Sequence, residues 1–152
     1  MAYFIIVLAT IVADQLTKML VVDSLRLYES REIIAGFFNL VYVTNSGAAF
    51  SFLADMASPW RHYFFVGIGS VALIGLTVAY WKMRQVSALY CWPLALIAGG
   101  AAGNLIDRLR FGAVIDFLDF YAGSWHWPAF NVADSAICVG VGLFLLMPKD
   151  AQ

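Results

Sequence analysis

The sequence predicts an α-helical integral membrane protein with four transmembrane helices and a small β-containing element outside the bilayer. Three observations predict it. Hydrophobic residues make up 62% of the 152 and charged residues 12%, where a soluble domain carries about 45–50% and about 25%. Mean hydropathy is +0.81, so there is too little charge to cover a water-facing surface and most of that surface must meet lipid. Finally, four apolar segments approach the roughly 20 residues a bilayer span needs, and one connection between them is rich in β-branched and aromatic residues. The length suits a single domain over 1–152. A formal net charge of −1 gives no sign of a nucleic-acid partner.

Helix 1 is expected at about 2–22, interrupted by Asp14 and Lys18. The opening "MAYFIIVLATIVADQLTK" lacks a basic start and a small-residue cleavage site, so it reads as a retained helix and not a signal peptide. Helices 2 and 3, at about 63–81 and 88–106, carry no charge before the Asp107–Arg108 pair. Helix 4, at about 132–147, is short and closed by Pro148. The first long connection, 23–62, contains "IIAGFFNLVYVTN", whose composition and flanking turn residues predict short strands or a hairpin. The second, 108–131, carries "SWHWP", aromatics of the kind that favour the membrane–water interface. Cys91 and Cys138 lie in apolar segments and are expected to be buried, reduced thiols; no Cys/His spacing suggests a metal.

An up-down order puts both long connections on one side of the membrane, with the short 82–87 loop and both termini on the other. Lys82, Arg84 and Lys149 fall on the terminal side, and Arg26, Arg31, Arg61, Arg108 and Arg110 on the long-loop side. The positive-inside rule therefore leaves the orientation open.

The unusual polar residues converge on the long-loop side: Asp14, Lys18, Asn45, Asn104, Asp107, Arg108, Asp116, Asp119, Asn131 and Asp134. Ionisable groups at membrane depth point to function, yet most of these also admit a structural reading. Asp14 and Lys18 are spaced i,i+4 and can pair. Asn131 and Asp134 can be a helix N-cap and its N3 acid. Asp107 and Arg108 can form an interfacial ion pair. Gly99 and Gly103 form a small-residue stripe suited to close helix packing. His62 and His126 read as interface residues. "VIDFLDF" resists such a reading, because Asp116 and Asp119 sit in an apolar stretch without an adjacent cation. Chemically, Asp116 and Asp134 can form a pair. Two neighbouring carboxylates share a proton, which leaves one a base and the other an acid at the same pH. That arrangement activates water against a peptide carbonyl. Ser135 has no nearby His in the sequence, and neither Cys has a basic neighbour.

Five motifs in order, "DQLTK" at 14–18, "NSGAAF" at 45–50, "GNLIDR" at 103–108, "VIDF" at 114–117 and "FNVAD" at 130–134, resemble those of the bacterial lipoprotein signal peptidases (signal peptidase II, prolipoprotein signal peptidase). The resemblance implies an intramembrane aspartyl endopeptidase of the bacterial cytoplasmic (inner) membrane. Both termini would be cytoplasmic, the active site would lie near the outer face, and the β-containing element would be extracytoplasmic. Its substrates would be diacylglyceryl-modified prolipoproteins, cut just before the lipid-modified cysteine. It implies Asp116 and Asp134 as catalytic residues, Asn45, Gly47, Asn104, Arg108 and Asn131 as substrate- or inhibitor-contacting residues, and Asp14, Lys18 and Asp107 as supports. Membrane lipids and cyclic peptide inhibitors of the globomycin type are the implied partners. The chain would act as a monomer, with no nucleic acid, no cofactor and no metal. The signal helix would enter laterally from lipid, and the 23–62 connection would close over the scissile bond. Asp119 is an additional acid that the motif does not account for. The competing class is a small four-helix multidrug transporter with an acid in helix 1, where Asp14 lies; short loops throughout would mark that class.

Overall fold

The computed structural model describes residues 1–47 and 59–147. Within them the chain runs α1 (Ala2–Ser24), β1 (Ser30–Ile34), β2 (Phe38–Asn45), α2 (Pro59–Met83), a 3-10 turn (Ala88–Tyr90), α3 (Cys91–Phe111), β3 (Val114–Ala122), β4 (Trp125–His126) and α4 (Val132–Leu145). Three helices, Ala2–Ser24, Trp60–Met83 and Ala88–Phe111, are long and apolar enough to cross a membrane. The 14 residues of α4 rise only about 21 Å, short of a hydrocarbon core of about 30 Å.

α1 reverses the polarity of a soluble amphipathic helix. Its buried stripe is Tyr3, Thr10, Asp14, Lys18 and Val21, at helical spacings of 3, 4 and 7. Its exposed side is Phe4, Ile5, Leu8, Leu16 and Leu20, as lipid requires. α3 is the central helix, held close to its neighbours by glycine. A Cβ on Gly99 would lie 2.6 Å from the Thr10 Cβ, and one on Gly103 2.6 Å from Asp14 Oδ2, both on α1. On the other side a Cβ on Gly100 would collide with the Ala133 carbonyl of α4. The small-residue stripe thus packs helices as its spacing predicts, with Gly100 adding a second contact face. Pro93 falls in the first turn of α3, where a missing N–H costs no helical hydrogen bond.

The four strands form one antiparallel sheet in the order β1-β2-β3-β4. The predicted hairpin is β1–β2, turning at Gly36 with φ +73°. The second connection holds β3 and β4 where only a loop was expected. The sheet packs through Phe117, Leu40 and Tyr42 onto Val21 of α1, Leu25 just past its end, and Val132 of α4. A separate apolar cluster of Tyr3, Tyr80, Tyr90, Leu94 and Ala98 closes the other end of the bundle. Along α1 the Asp14–Lys18 pair lies between these two clusters.

Further expectations need correction. α3 continues to Phe111, five residues past the expected end, and stops at Gly112, whose φ of +74° is the left-handed cap that glycine adopts readily. Cys138 is exposed and Cys91 half-buried, because the outer sides of these helices are the lipid-facing ones. Asp107 and Arg108 do not pair with each other; neighbouring helical residues point in different directions, and each finds another partner. The end of the 45–50 motif, much of the 23–62 connection's second half and Pro148 lie outside the described residues.

Candidate active site

Asp134 is placed by the start of α4. Asn131 is the N-cap: its side-chain oxygen accepts from the Asp134 backbone N–H at 2.9 Å, and the Asn131 backbone N–H donates to Asp134 Oδ2 at 3.2 Å. The predicted capping box is therefore present. It does more than cap, because the Asn131 side-chain NH2 donates to Asp116 Oδ1 at 2.7 Å and to the Ile115 carbonyl at 3.1 Å. Asn131 is fully buried and bridges the two acids. Asp116 sits on β3, where pairing of its backbone with Val43 of β2 fixes its position.

Asp116 is 3% exposed. Burial, reinforced by the charge of Asp134, pushes its carboxyl up to about 7; hydrogen bonds from Asn131 and Asn45 and the charge of Lys18 hold it back only in part. Asp119 is three residues further along the same strand, and strand alternation turns it to the opposite face. There it accepts from Asn39 Nδ2 at 2.9 Å and meets His126 Nδ1 at 2.9 Å. His126, read as an interface residue, is half-exposed and stacks on Tyr121.

Behind the acids lies a buried ionic cluster. Lys18 Nζ is 2.9 Å from Asp14 Oδ2 and 2.7 Å from Asp107 Oδ2, so the expected i,i+4 pair is one side of a triad. Asp14 Oδ1 accepts the free N–H of Ala133 at 2.9 Å, which tethers α1 to the first turn of α4. Asp107 Oδ2 accepts the Ile115 N–H at 3.1 Å, which tethers α3 to β3. Gln15 donates to Asp107 Oδ1 at 2.9 Å; its role escaped sequence reasoning, although it lies within the 14–18 motif. Asn104 links cluster and acids: its oxygen accepts from Lys18 at 3.1 Å and its NH2 donates to Asp134 Oδ1 at 2.8 Å.

The front of the site is a cleft of about 740 Å³. Asn45, Asn104, Arg108, Asp116 and Asp134 give it polar walls; Val43, Val114, Trp127, Phe130, Ile137 and Cys138 give it apolar ones. Arg108 donates to the Gly47 carbonyl at 2.7 Å, and its guanidinium lies 4.5 Å from the centre of the Phe65 ring. Asn45 accepts from the Gly47 N–H at 3.0 Å, a local turn that holds the end of β2 at the cleft. The structure therefore gathers Asn45, Asn104, Arg108, Asp116 and Asp134 around one space, with Gly47 tied to it through Arg108. Asn131 stands behind the acids and does not line the opening. Sequence reasoning missed Trp127, Phe130, Ile137 and Cys138 as cleft residues; the signal for Cys138 is its place one turn beyond Asp134.

The chain matches the family model described as Signal peptidase (SPase) II over residues 6–148. A lipoprotein signal peptidase of Geobacter sulfurreducens is 53% identical over 138 residues, covering 91% of this chain and 85% of that one. One from Syntrophotalea carbinolica is 51% identical over 144 residues, covering 93% and 88%. Two solved structures of a bacterial membrane enzyme, obtained by the in meso method, superpose with a TM-score of 0.83 at 31% identity, covering 95% of this chain and 85% and 90% of theirs. The transporter alternative finds no support among these relatives. With a family model matched over most of its length, relatives about half identical and a shared fold, this chain belongs to the signal peptidase II family.

Proposed function

We propose that this chain is an aspartic endopeptidase that removes signal peptides from diacylglyceryl-modified prolipoproteins, with Asp116 and Asp134 as its catalytic pair. The observation that carries the reading is that these two carboxylates line one cleft and are joined by the buried Asn131 side chain and its cap. One ionised carboxylate takes a proton from water as its oxygen attacks the scissile carbonyl. The protonated carboxyl donates a hydrogen bond to the carbonyl oxygen, and a proton is then delivered to the leaving amine as the C–N bond breaks.

The polar walls suit a peptide backbone. Asn45, Asn104 and Arg108 can contact substrate amides, Gly47 helps hold the opening, and Asn131 serves the acids from behind. The apolar walls and the exposed outer faces of the helices suit the signal helix, the diacylglyceryl chains and surrounding membrane lipids. The same cleft would take cyclic peptide inhibitors of the globomycin type. In this reading the chain acts as a monomer, both termini are cytoplasmic, and the sheet and cleft lie toward the outer face of the bacterial cytoplasmic membrane.

The test is cleavage by the purified protein, with a metal chelator present throughout. The protein is expected to cut a diacylglyceryl-modified prolipoprotein just before the modified cysteine and to leave the unmodified precursor intact. Equal cleavage of both, or cleavage elsewhere, would overturn the substrate assignment. Activity lost to the chelator and restored by zinc would overturn the metal-free chemistry.

A further inference from the structure

Which member of a carboxylate pair carries the shared proton depends on what each oxygen faces, and here two amides report it. A lysine ammonium offers only donors. Lys18 is 2% exposed, and its contact at 3.1 Å therefore fixes the Asn104 side chain with oxygen toward Lys18. The Asn104 NH2 must then face Asp134 Oδ1, at 2.8 Å. The other oxygen, Oδ2, faces a second obligatory donor, the Asn131 backbone N–H. Both oxygens of Asp134 thus accept from N–H groups, the surroundings of a carboxylate. The Asn131 amide is fixed in the same way. Its oxygen accepts the Asp134 N–H, so its NH2 faces Asp116 Oδ1.

We infer that Lys18 is a positioning residue for the reaction: through Asn104 it holds Asp134 as the ionised base and leaves the shared proton on Asp116, the acid. The inference rests on the dyad reading of the proposed function. The charged groups acting on the pair are Asp14 and Lys18 from α1 and Arg108 from α3; Asp107 of α3 and Arg61 of α2 act in turn on Arg108. The charge of Asp134 is among the causes that raise the buried Asp116 carboxyl, which agrees with the assignment.

The experiment is the pH dependence of kcat/KM for the full chain in detergent, per folded enzyme, for wild type, Lys18→Met, Asn104→Ala and the double variant. The two limbs of such a profile belong to the pair, but a change at Asp134 moves the acid-side limb only if Asp134 is the group that ionises first. Removing donors from its carboxylate raises that limb by about one pH unit or more. The profile then narrows and its maximum falls by about tenfold or more. Lys18 does not line the cleft, so the loss is expected in kcat with KM little changed. Because Lys18 acts through Asn104, the double variant should shift no further than the larger single shift. A purely structural role would lower the folded yield and leave the profile where it was.

An unmoved acid limb overturns the inference, as does movement of the alkaline limb instead. Additive shifts would mean that Lys18 acts by charge alone. Should Lys18→Met not fold, Asn104→Asp keeps Lys18 paired while offering Asp134 no donor, and an unmoved limb in that variant is equally decisive. Asp116→Asn and Asp134→Asn run alongside: turnover by either defeats the dyad itself, whereas inactivity of both with unmoved limbs defeats only the role of Lys18.

Discussion

At the scale of single residues, environment separates three similar acids. Asp116, Asp119 and Asp134 are all buried or half-buried near one sheet, but Asp119 faces Asn39 and His126 on the other side of β3. Asp119→Asn keeps an acceptor for Asn39 and should leave cleavage within about tenfold of wild type; an inactive, folded Asp119→Asn enzyme would contradict this. Asp116 also makes a pH prediction. Its carboxyl lies at about 7 in the folded protein against 3.8 ordinarily, so between these values the folded state binds more protons than the unfolded one. Stability from this group is complete below the lower value and is lost as pH rises through the upper one. Thermal unfolding in detergent should therefore give a Tm that falls from about pH 5 to about pH 8, and Asp116→Asn should flatten that slope. An unchanged slope in the variant would contradict the assignment. Sequence alone paired Asp14 with Lys18 because the i,i+4 rule is local. It could not supply Asp107 as a third member, since that contact joins residues 89 apart in the chain through tertiary packing.

At the scale of elements, the site depends on α3 lying close to α1 and α4. Gly100 leaves no room for a side chain against the Ala133 carbonyl. Gly100→Val should push α4 outward, separating Asn104 from Asp134, at a cost of about 1–3 kcal/mol or more and with a large loss of cleavage. Gly75, also helical, has open space where its Cβ would stand, so Gly75→Val should be nearly neutral. Similar Tm values for the two variants would contradict the packing account. The β1–β2 hairpin was legible because β-branched and aromatic residues sit between turn residues. β3 was not, because Val114, Ile115, Asp116 and Phe117 are all buried and a strand covered on both faces shows no alternation. The overshoot of α3 has a related cause. Asn104, Asp107 and Arg108 resemble a helix end exposed to water, whereas each has a partner within the protein.

At the scale of the whole molecule, a lipid-facing shell surrounds an interior that is polar at the site and apolar at the other end of the bundle. The span pattern and the convergence of polar residues on one side were legible in the sequence, since both follow from solvent matching. The geometry that joins Asp116 to Asp134 was not, because it is made by a strand, a cap and two asparagines from separate segments. α4 begins at this polar cluster and is the shortest α-helix among the described residues, so its first turn can present a carboxylate to a space reachable along its own apolar side through Ile137 and Cys138. The central claim is that hydrolysis needs both carboxylates of this cleft. Its most direct test is cleavage of a lipid-modified prolipoprotein by Asp116→Asn and Asp134→Asn, each purified, shown to be folded by thermal unfolding, and compared with wild type at equal folded concentration. The account predicts a loss of at least about a thousandfold in kcat for each variant, with both still folded. Substantial turnover by either folded variant would contradict it.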